Sequence, residues 1–230
     1  MFEKEQQVKE VLFFMKLKTD LVIMGSGMAG ISAADAALAR GKKVIVFEKK
    51  PYQGGAVSNC PIAYVSIRKD RAFQNAAFHL LYEYSNYNAN PSVIRQYVNN
   101  SWRTKEYIER LGIKMIPTQQ LELEDIGDSE ICGWISPCSN GTWRFYLVPG
   151  RGKGHGGALI CLNAMKDIIK RGGQYMLNTP ITDILVDENG KVTGVKAVNN
   201  ETKEEIEVEC EAVIIASGGI MEDRENDEKI

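Results

Sequence analysis

The segment Leu21-Val-Ile-Met-Gly25-Ser-Gly-Met-Ala-Gly30 joins a short apolar run to a Gly-x-Gly-x-x-Gly turn. The run predicts a buried strand ended by Gly25. The stretch Ala29–Arg40 is rich in Ala and Leu and stops at Gly41, which predicts a helix with a glycine terminator. Val44-Ile-Val-Phe47 then predicts a second buried strand, with Glu48 at its end, 18 residues past Gly30. Strand, helix and strand in so short a span form a βαβ unit, which requires parallel pairing. The three glycines serve different physical ends. Gly25 permits the tight turn, Gly27 lets backbone approach a pyrophosphate, and Gly30 lets helix and strand pack closely. Ser26, Met28 and Ala29 complete the loop, and the free N–H groups of the helix start favour phosphate. Glu48 is expected to accept hydrogen bonds from both ribose hydroxyls. Its charge disfavours a 2′-phosphate, so the site points to FAD or NAD rather than NADP.

Composition sets the outer limits. A chain of 230 residues with 44% hydrophobic and 25% charged residues is long enough for a sizeable core and is not disordered as a whole. A net charge of −2 argues against nucleic-acid binding through bulk charge. No apolar run reaches the ~20 residues of a membrane span. Val11–Met15 is too short for the core of a signal peptide, so a cytoplasmic location is expected. The five cysteines contain no Cys-x-x-Cys pair, which argues against a zinc knuckle or a thioredoxin-like site, and no metal is expected. Cys132 and Cys138 are close enough to pair, but a reducing compartment disfavours it.

Further along, residues 49–66 read as a loop, and 70–86 and 91–111 as helices. Val93, Tyr97, Trp102, Tyr107, Ile108 and Leu111 mark the expected core stripe of the second helix, ended by Gly112. Residues 113–150 read as irregular with short strands. A helix is expected over Ala158–Lys170, closed by Gly172-Gly173. Ile181–Val186, Lys191–Val198 and Glu204–Val208 predict an antiparallel meander, with turns at 187–190 and 199–202. Ala212-Val-Ile-Ile-Ala216 predicts a wholly apolar strand ended by Ser217-Gly218-Gly219. Residues 1–18 are expected to be an N-terminal appendage, with Met15 resembling a natural start, and residues 19–230 one α/β domain: a Rossmann-like parallel sheet plus the meander.

These segments, in order, carry a resemblance. Glu48-Lys49-Lys-Pro-Tyr-Gln-Gly54-Gly55 is similar to the stretch after the second strand in the fumarate reductase and succinate dehydrogenase flavoprotein superfamily. The helix around Val93–Met115, Gly152-Lys-Gly-His-Gly-Gly-Ala-Leu, Asn178-Thr-Pro-Ile181-Thr-Asp-Ile-Leu with Gly190-Lys-Val-Thr-Gly-Val, and Ala212–Gly219 extend the likeness over residues 19–220. The resemblance implies FAD as cofactor. It also implies hydride transfer between flavin N5 and an activated carbon–carbon bond of an unsaturated acid or ketone. It assigns cofactor binding to Gly25, Ser26, Gly27, Met28, Ala29, Gly30, Glu48, Lys49, Gly54, Gly55, Ala56, Ser58, Asn59, Ile181, Ala216, Ser217 and Gly218.

The departures from that family are informative. Ala56 stands where one branch carries the histidine that holds flavin covalently, so non-covalent FAD is expected. Ile62-Ala63, after Pro61, replaces a second Gly-Gly near the flavin ring, and Ser217 replaces the usual Thr. The family continues past this point into a capping domain with the substrate-binding and proton-delivering groups; here 11 residues follow Gly219. The expectation is therefore the FAD-binding half of such an enzyme, working on a small-molecule substrate, with a partner chain as a source of the cap. His155, Arg144 and Arg151 are the weak catalytic candidates: an imidazole or guanidinium in a loop can hold a substrate carboxylate. Against each stands an ordinary loop or surface role. His79 reads as filler, Cys60 as a small hydrophobe and the Glu201–Glu211 run as a solvated face. The rival readings are a non-catalytic FAD-binding fragment that depends on a partner, and an NAD-dependent dehydrogenase.

Overall fold

The structure, a computed structural model, describes residues 14–59, 63–67, 69, 71–113, 116–117, 143–147 and 156–219. The chain divides into two compact units, Met1–Gly55 with Met165–Ile230, and Ala56–Ala164.

The first unit is layered. Its central sheet holds β2 (Leu21–Met24), β3 (Val44–Phe47), β7 (Gln174–Met176) and β11 (Ala212–Ile215), all parallel in the order β11-β2-β3-β7. Helix α1 (Met28–Leu38) links β2 to β3 and lies against the sheet. Along a strand, side chains alternate between faces. Val22, Ile45 and Phe47 accordingly share one buried cluster with Val195, Ala197, Ile206, Val208 and Cys210 of the second sheet. That second sheet is the meander β8 (Ile181–Val186), β9 (Val192–Val198) and β10 (Glu205–Glu209), joined by β1 (Phe14–Lys18), in the order β1-β10-β9-β8. The result is a helix layer, a parallel sheet and a mixed sheet, the α/β class expected.

β1 corrects the appendage boundary at residue 18. Phe14-Met-Lys-Leu-Lys18 alternates apolar and polar residues, which is the signal of a half-buried strand. Met15 and Leu17 pack on the shared core, while Lys16 and Lys18 stand opposite Glu207 and Glu209 on the parallel neighbour β10. The Lys18–Glu209 contact is 2.5 Å and that of Lys16 with Glu207 is 3.7 Å. Both are exposed, so they set register more than they stabilise. β7 is a strand the sequence reading missed, because three residues after a Gly-Gly turn carry too little periodicity.

The second unit contains α2 (Arg71–Tyr84), α3 (Pro91–Asn100) and α4 (Arg103–Arg110), and a small sheet of β4 (Ala63–Ile67), β6 (Trp143–Leu147) and β5 (Ile116–Pro117). The start of α5 (Gly156–Lys170) also belongs to it. Two expectations change here. The stretch 49–66, expected to be a loop, contains a 3-10 turn over Gly55–Asn59 and the strand β4. The single helix expected over 91–111 breaks into α3 and α4. At the break the Trp102 indole donates to the Asn99 carbonyl at 2.9 Å, and the Thr104 N–H donates to the Ser101 carbonyl at 3.2 Å. The buried face of α3 also differs from the expected stripe. Val93 and Tyr97, expected in the core, are 65% and 45% exposed, while Ile94 and Val98 pack with Ala77. Trp102 and Tyr107 are half-buried, and Ile108 and Leu111 are buried as expected.

Cys161 on α5 and Cys210 are buried free thiols. Burial pushes the Cys161 thiol up to about 11, from an ordinary value of 9.0. A raised folded-state value means that the unfolded thiol ionises first. The stabilisation is therefore complete below about pH 9 and lost as pH rises toward 11. Native Cys161 is expected to resist iodoacetamide at pH 8 and to react fully after unfolding, read site by site by mass spectrometry; equal reactivity in both states would contradict the burial.

Candidate functional site

Strands β11, β2 and β3 all end at the same edge of the parallel sheet, where open α/β folds bind ligands. Gly25, immediately after β2, has φ +101, and a Cβ there would lie 2.5 Å from the Ala216 carbonyl oxygen and 3.1 Å from Ser217 Cα. Only glycine fits that turn. Gly30 faces an even tighter approach: its Cβ would stand 1.9 Å from the Gly25 carbonyl oxygen. Gly27, the residue preceding α1, is open, with only the Gly54 carbonyl oxygen near, at 4.0 Å. So two glycines close the packing and the middle one leaves room above it. No side chain caps α1 and no acidic residue occupies its first turn. Its first N–H groups, from Met28, Ala29 and Gly30, therefore remain available to an anionic ligand.

Glu48 lies at the end of β3 and is 5% exposed. One of its carboxylate oxygens, Oε2, accepts from the Ser26 backbone N–H at 3.0 Å and from the Ser26 hydroxyl at 2.7 Å. The other, Oε1, accepts from the Lys50 N–H at 3.0 Å. The Ser26 hydroxyl in turn accepts from the buried Gly54 N–H at 3.1 Å. Three loops, after β2, after β3 and at Gly54, thus meet at one hydrogen-bonded node. This bears on the expectation that Glu48 receives both ribose hydroxyls. A carboxylate has about four lone-pair sites. Ser26 and Lys50 use three, which leaves one, on Oε1, for a hydroxyl.

Sequence reading missed the brace beneath Glu48. The Glu48 N–H donates to the Met176 carbonyl at 2.9 Å, and its carbonyl accepts from the Thr179 N–H at 2.8 Å. Thr179 is 1% exposed, and its hydroxyl accepts from the Asn199 side chain at 3.2 Å. The only sequence signal was the Asn178-Thr-Pro turn, where Asn178 has φ +55.

The structure thus brings together Gly25, Ser26, Gly27, Gly30, Glu48, Gly54, Ala216 and Ser217. Met28 and Ala29 begin the helix beside them, and Gly218 follows with φ +94. Lys49 is exposed next to Glu48. Ile181 opens β8 and packs its side chain against the core. Gly55 begins the 3-10 turn that also carries Ala56, Ser58 and Asn59. Within the second unit a Cβ on Gly157 would stand 1.9 Å from the Val57 carbonyl oxygen, so the start of α5 packs backbone to backbone on that turn. Arg144 lies in β6, in register with Ser66. His155, Arg151, Cys60, Pro61, Ile62, Cys132 and Cys138 fall outside the described residues, so the structure neither joins nor separates the three catalytic candidates. His79 is exposed. Among the described residues no group of three His, Cys, Asp or Glu is placed to hold a metal, and no helix is long and apolar enough to cross a membrane.

A Gly-rich turn packed backbone to backbone, an uncapped helix start and a buried acid at the neighbouring strand end define a dinucleotide-binding α/β domain. The chain belongs to the FAD binding domain family, whose model matches residues 20–228. This favours FAD over the NAD alternative. The chain is 31% identical over 209 residues to an NADH:fumarate oxidoreductase of Klebsiella pneumoniae, covering 87% of this chain and 20% of that protein. It is 26% identical to a vinyl phenol reductase of Lactiplantibacillus plantarum, covering 88% of this chain and 38% of that one. Its fold is similar to that of an E. coli quinol fumarate reductase, with TM-score 0.68 at 20% identity over 89% of this chain and 33% of the other. A 3-ketosteroid-delta4-(5alpha)-dehydrogenase from Rhodococcus jostii gives TM-score 0.66 at 17% identity, over 95% of this chain and 48% of that one. The chain therefore spans between a fifth and two fifths of the length of these curated relatives.

Proposed function

We propose that this chain forms the cofactor-holding part of an FAD-dependent oxidoreductase acting on an unsaturated acid or ketone. FAD, when bound, supplies a hydride donor or acceptor at N5. The chain's own residues hold and orient it. The N–H groups of Met28, Ala29 and Gly30 would face the pyrophosphate, and open Gly27 lets it come close. Glu48 would take one ribose hydroxyl on Oε1, with Ser26 and Lys50 fixing the carboxylate. Ala216, Ser217 and Gly218 bring a second backbone segment to the same edge. The observation that carries this reading is the Ser26–Glu48–Gly54 node, which ties the cradle together through buried bonds of 2.7–3.1 Å.

Attachment would be non-covalent, because Ala56 offers no nucleophile. The free thiols of Cys161 and Cys210 fit a reducing, cytoplasmic setting. His155, Arg144 and Arg151 remain the candidates of this chain for holding a substrate carboxylate, with a partner chain as one source of further substrate-facing groups. Names of relatives that act on fumarate or vinyl phenol support an activated carbon–carbon double bond as the substrate class.

The test is anaerobic: the FAD-loaded chain is reduced, then mixed separately with fumarate, a vinyl phenol and an enone while flavin absorbance is followed. Reoxidation by one of them faster than that of free reduced FAD supports an oxidoreductase complete enough to turn over. Bound FAD with no gain from any compound contradicts turnover by this chain alone and favours the partner-dependent reading.

A further inference from the structure

Outside the dinucleotide cradle, the second unit carries a cavity of about 430 Å³ between α2 and α3. It is lined by Arg71, Gln74, Asn75, Arg95 and Asn99, with no acidic side chain among them. Arg95 is held in place twice. Its guanidinium lies 3.9 Å from the centroid of the Phe78 ring, and its Nη1 donates to Asn75 Oδ1 at 3.0 Å. Stacking fixes the plane of the fork while leaving its other N–H edges free to donate. Arg71, the first residue of α2, has no carboxylate partner among the described residues. Both arginines line the same cleft, so an anion there would meet two cationic forks. Three amide side chains around them add neutral donors and acceptors, as oxyanions with attached polar groups require.

We propose that this cleft is a separate anion-binding site for a compact organic oxyanion bearing a carboxylate or phosphate group. The cavity is larger than a bare inorganic anion, so the organic part is accommodated beside the amides. The proposal uses residues of the second unit alone and stands whether or not the flavin reading does.

Calorimetric titration of the full chain, saturated with FAD, tests it with three probes: inorganic phosphate, glycerol phosphate and succinate. Glycerol phosphate or succinate is expected to bind with Kd below about 1 mM at low salt, weakening as salt rises, and more tightly than inorganic phosphate. Glycerol phosphate and succinate distinguish the two oxyanion types. Arg71→Gln is expected to weaken binding at least about tenfold, and Arg71→Lys to restore part of it, since a lysine supplies charge without the fork. Because Arg71 is exposed, Arg71→Gln should melt like the parent chain; Asn99→Ala, also exposed, provides a second variant with a smaller loss. The proposal is overturned if neither organic probe binds below that level, if binding is unchanged in Arg71→Gln, or if Ser26→Ala rather than Arg71→Gln removes it.

Discussion

Replacing Gly30 with alanine is expected to disable the dinucleotide cradle and to lower the stability of the first unit by about 3 kcal/mol or more, at or beyond the upper end of ordinary overpacking. The added Cβ would stand 1.9 Å from the Gly25 carbonyl oxygen, a backbone atom that no side-chain rotation can move aside. Helix α1 would have to lift from the turn after β2, opening the gap between the phosphate-facing N–H groups and Gly27. The melting midpoint should fall by roughly 6–12 °C, at 2–4 °C per kcal/mol for a chain of this size. FAD affinity should fall at least about 100-fold, since the positioning of the anion at the helix start is lost. Gly41→Ala is the control. It has φ +72 but nothing within 4 Å of its Cβ, so it should cost only the roughly 1–2 kcal/mol of left-handed strain and leave FAD affinity intact. Differential scanning fluorimetry and flavin fluorescence titration read both effects. Equal FAD affinity in Gly30→Ala and the parent chain would sink the packing role given to Gly30.

The second large effect is expected at Glu48. Glu48→Ala leaves the Ser26 N–H, the Ser26 hydroxyl and the Lys50 N–H without their acceptor in a site that is 5% exposed. Each orphaned donor costs about 1–3 kcal/mol where water cannot reach it. The loss of the free Oε1 acceptor should add to this in FAD binding, for a total of about 10²–10⁴-fold in affinity. Ser26→Ala removes two bonds of the same node and should cost less, about 1–3 kcal/mol. Because both side chains serve one node, the double variant should be less damaging than the sum of the two, by about 0.5–3 kcal/mol. Strict additivity in the FAD dissociation constants would show that the node does not act as a unit.

Much of this was legible in the residues. Leu21–Gly30 and Glu48 specify strand, turn, helix and acid through rules of packing and turn geometry, and the sheet edge they predict is where Gly25, Gly27, Gly30 and Glu48 stand. The meander was legible because three strand-like runs follow one another and the turns between them carry Asp-Glu-Asn-Gly and Asn-Asn-Glu-Thr. What the residues did not show has physical causes. β1 hides its alternation in five residues and pairs with β10, 191 residues on at Lys18 and Glu209, a partner no local pattern names. The helix break at Trp102 is accompanied by an indole–carbonyl bond that no periodicity announces. The sharing of Glu48 between Ser26 and Lys50 depends on three loops converging, which spacing alone cannot reveal. His155 and Arg151 were read from resemblance and loop context, and neither lies among the described residues.

The most direct measurement is the flavin content of the purified 230-residue chain. Acid precipitation should release flavin into the supernatant, chromatography should identify it as FAD, and titration should reach about one FAD per chain. The mass of the precipitated polypeptide should equal that of the unmodified sequence. A folded chain, with a cooperative melt, that takes up no FAD on reconstitution would contradict the claim that the cradle around Ser26, Glu48 and Gly54 is a dinucleotide site; flavin retained on the precipitated polypeptide would contradict the non-covalent attachment.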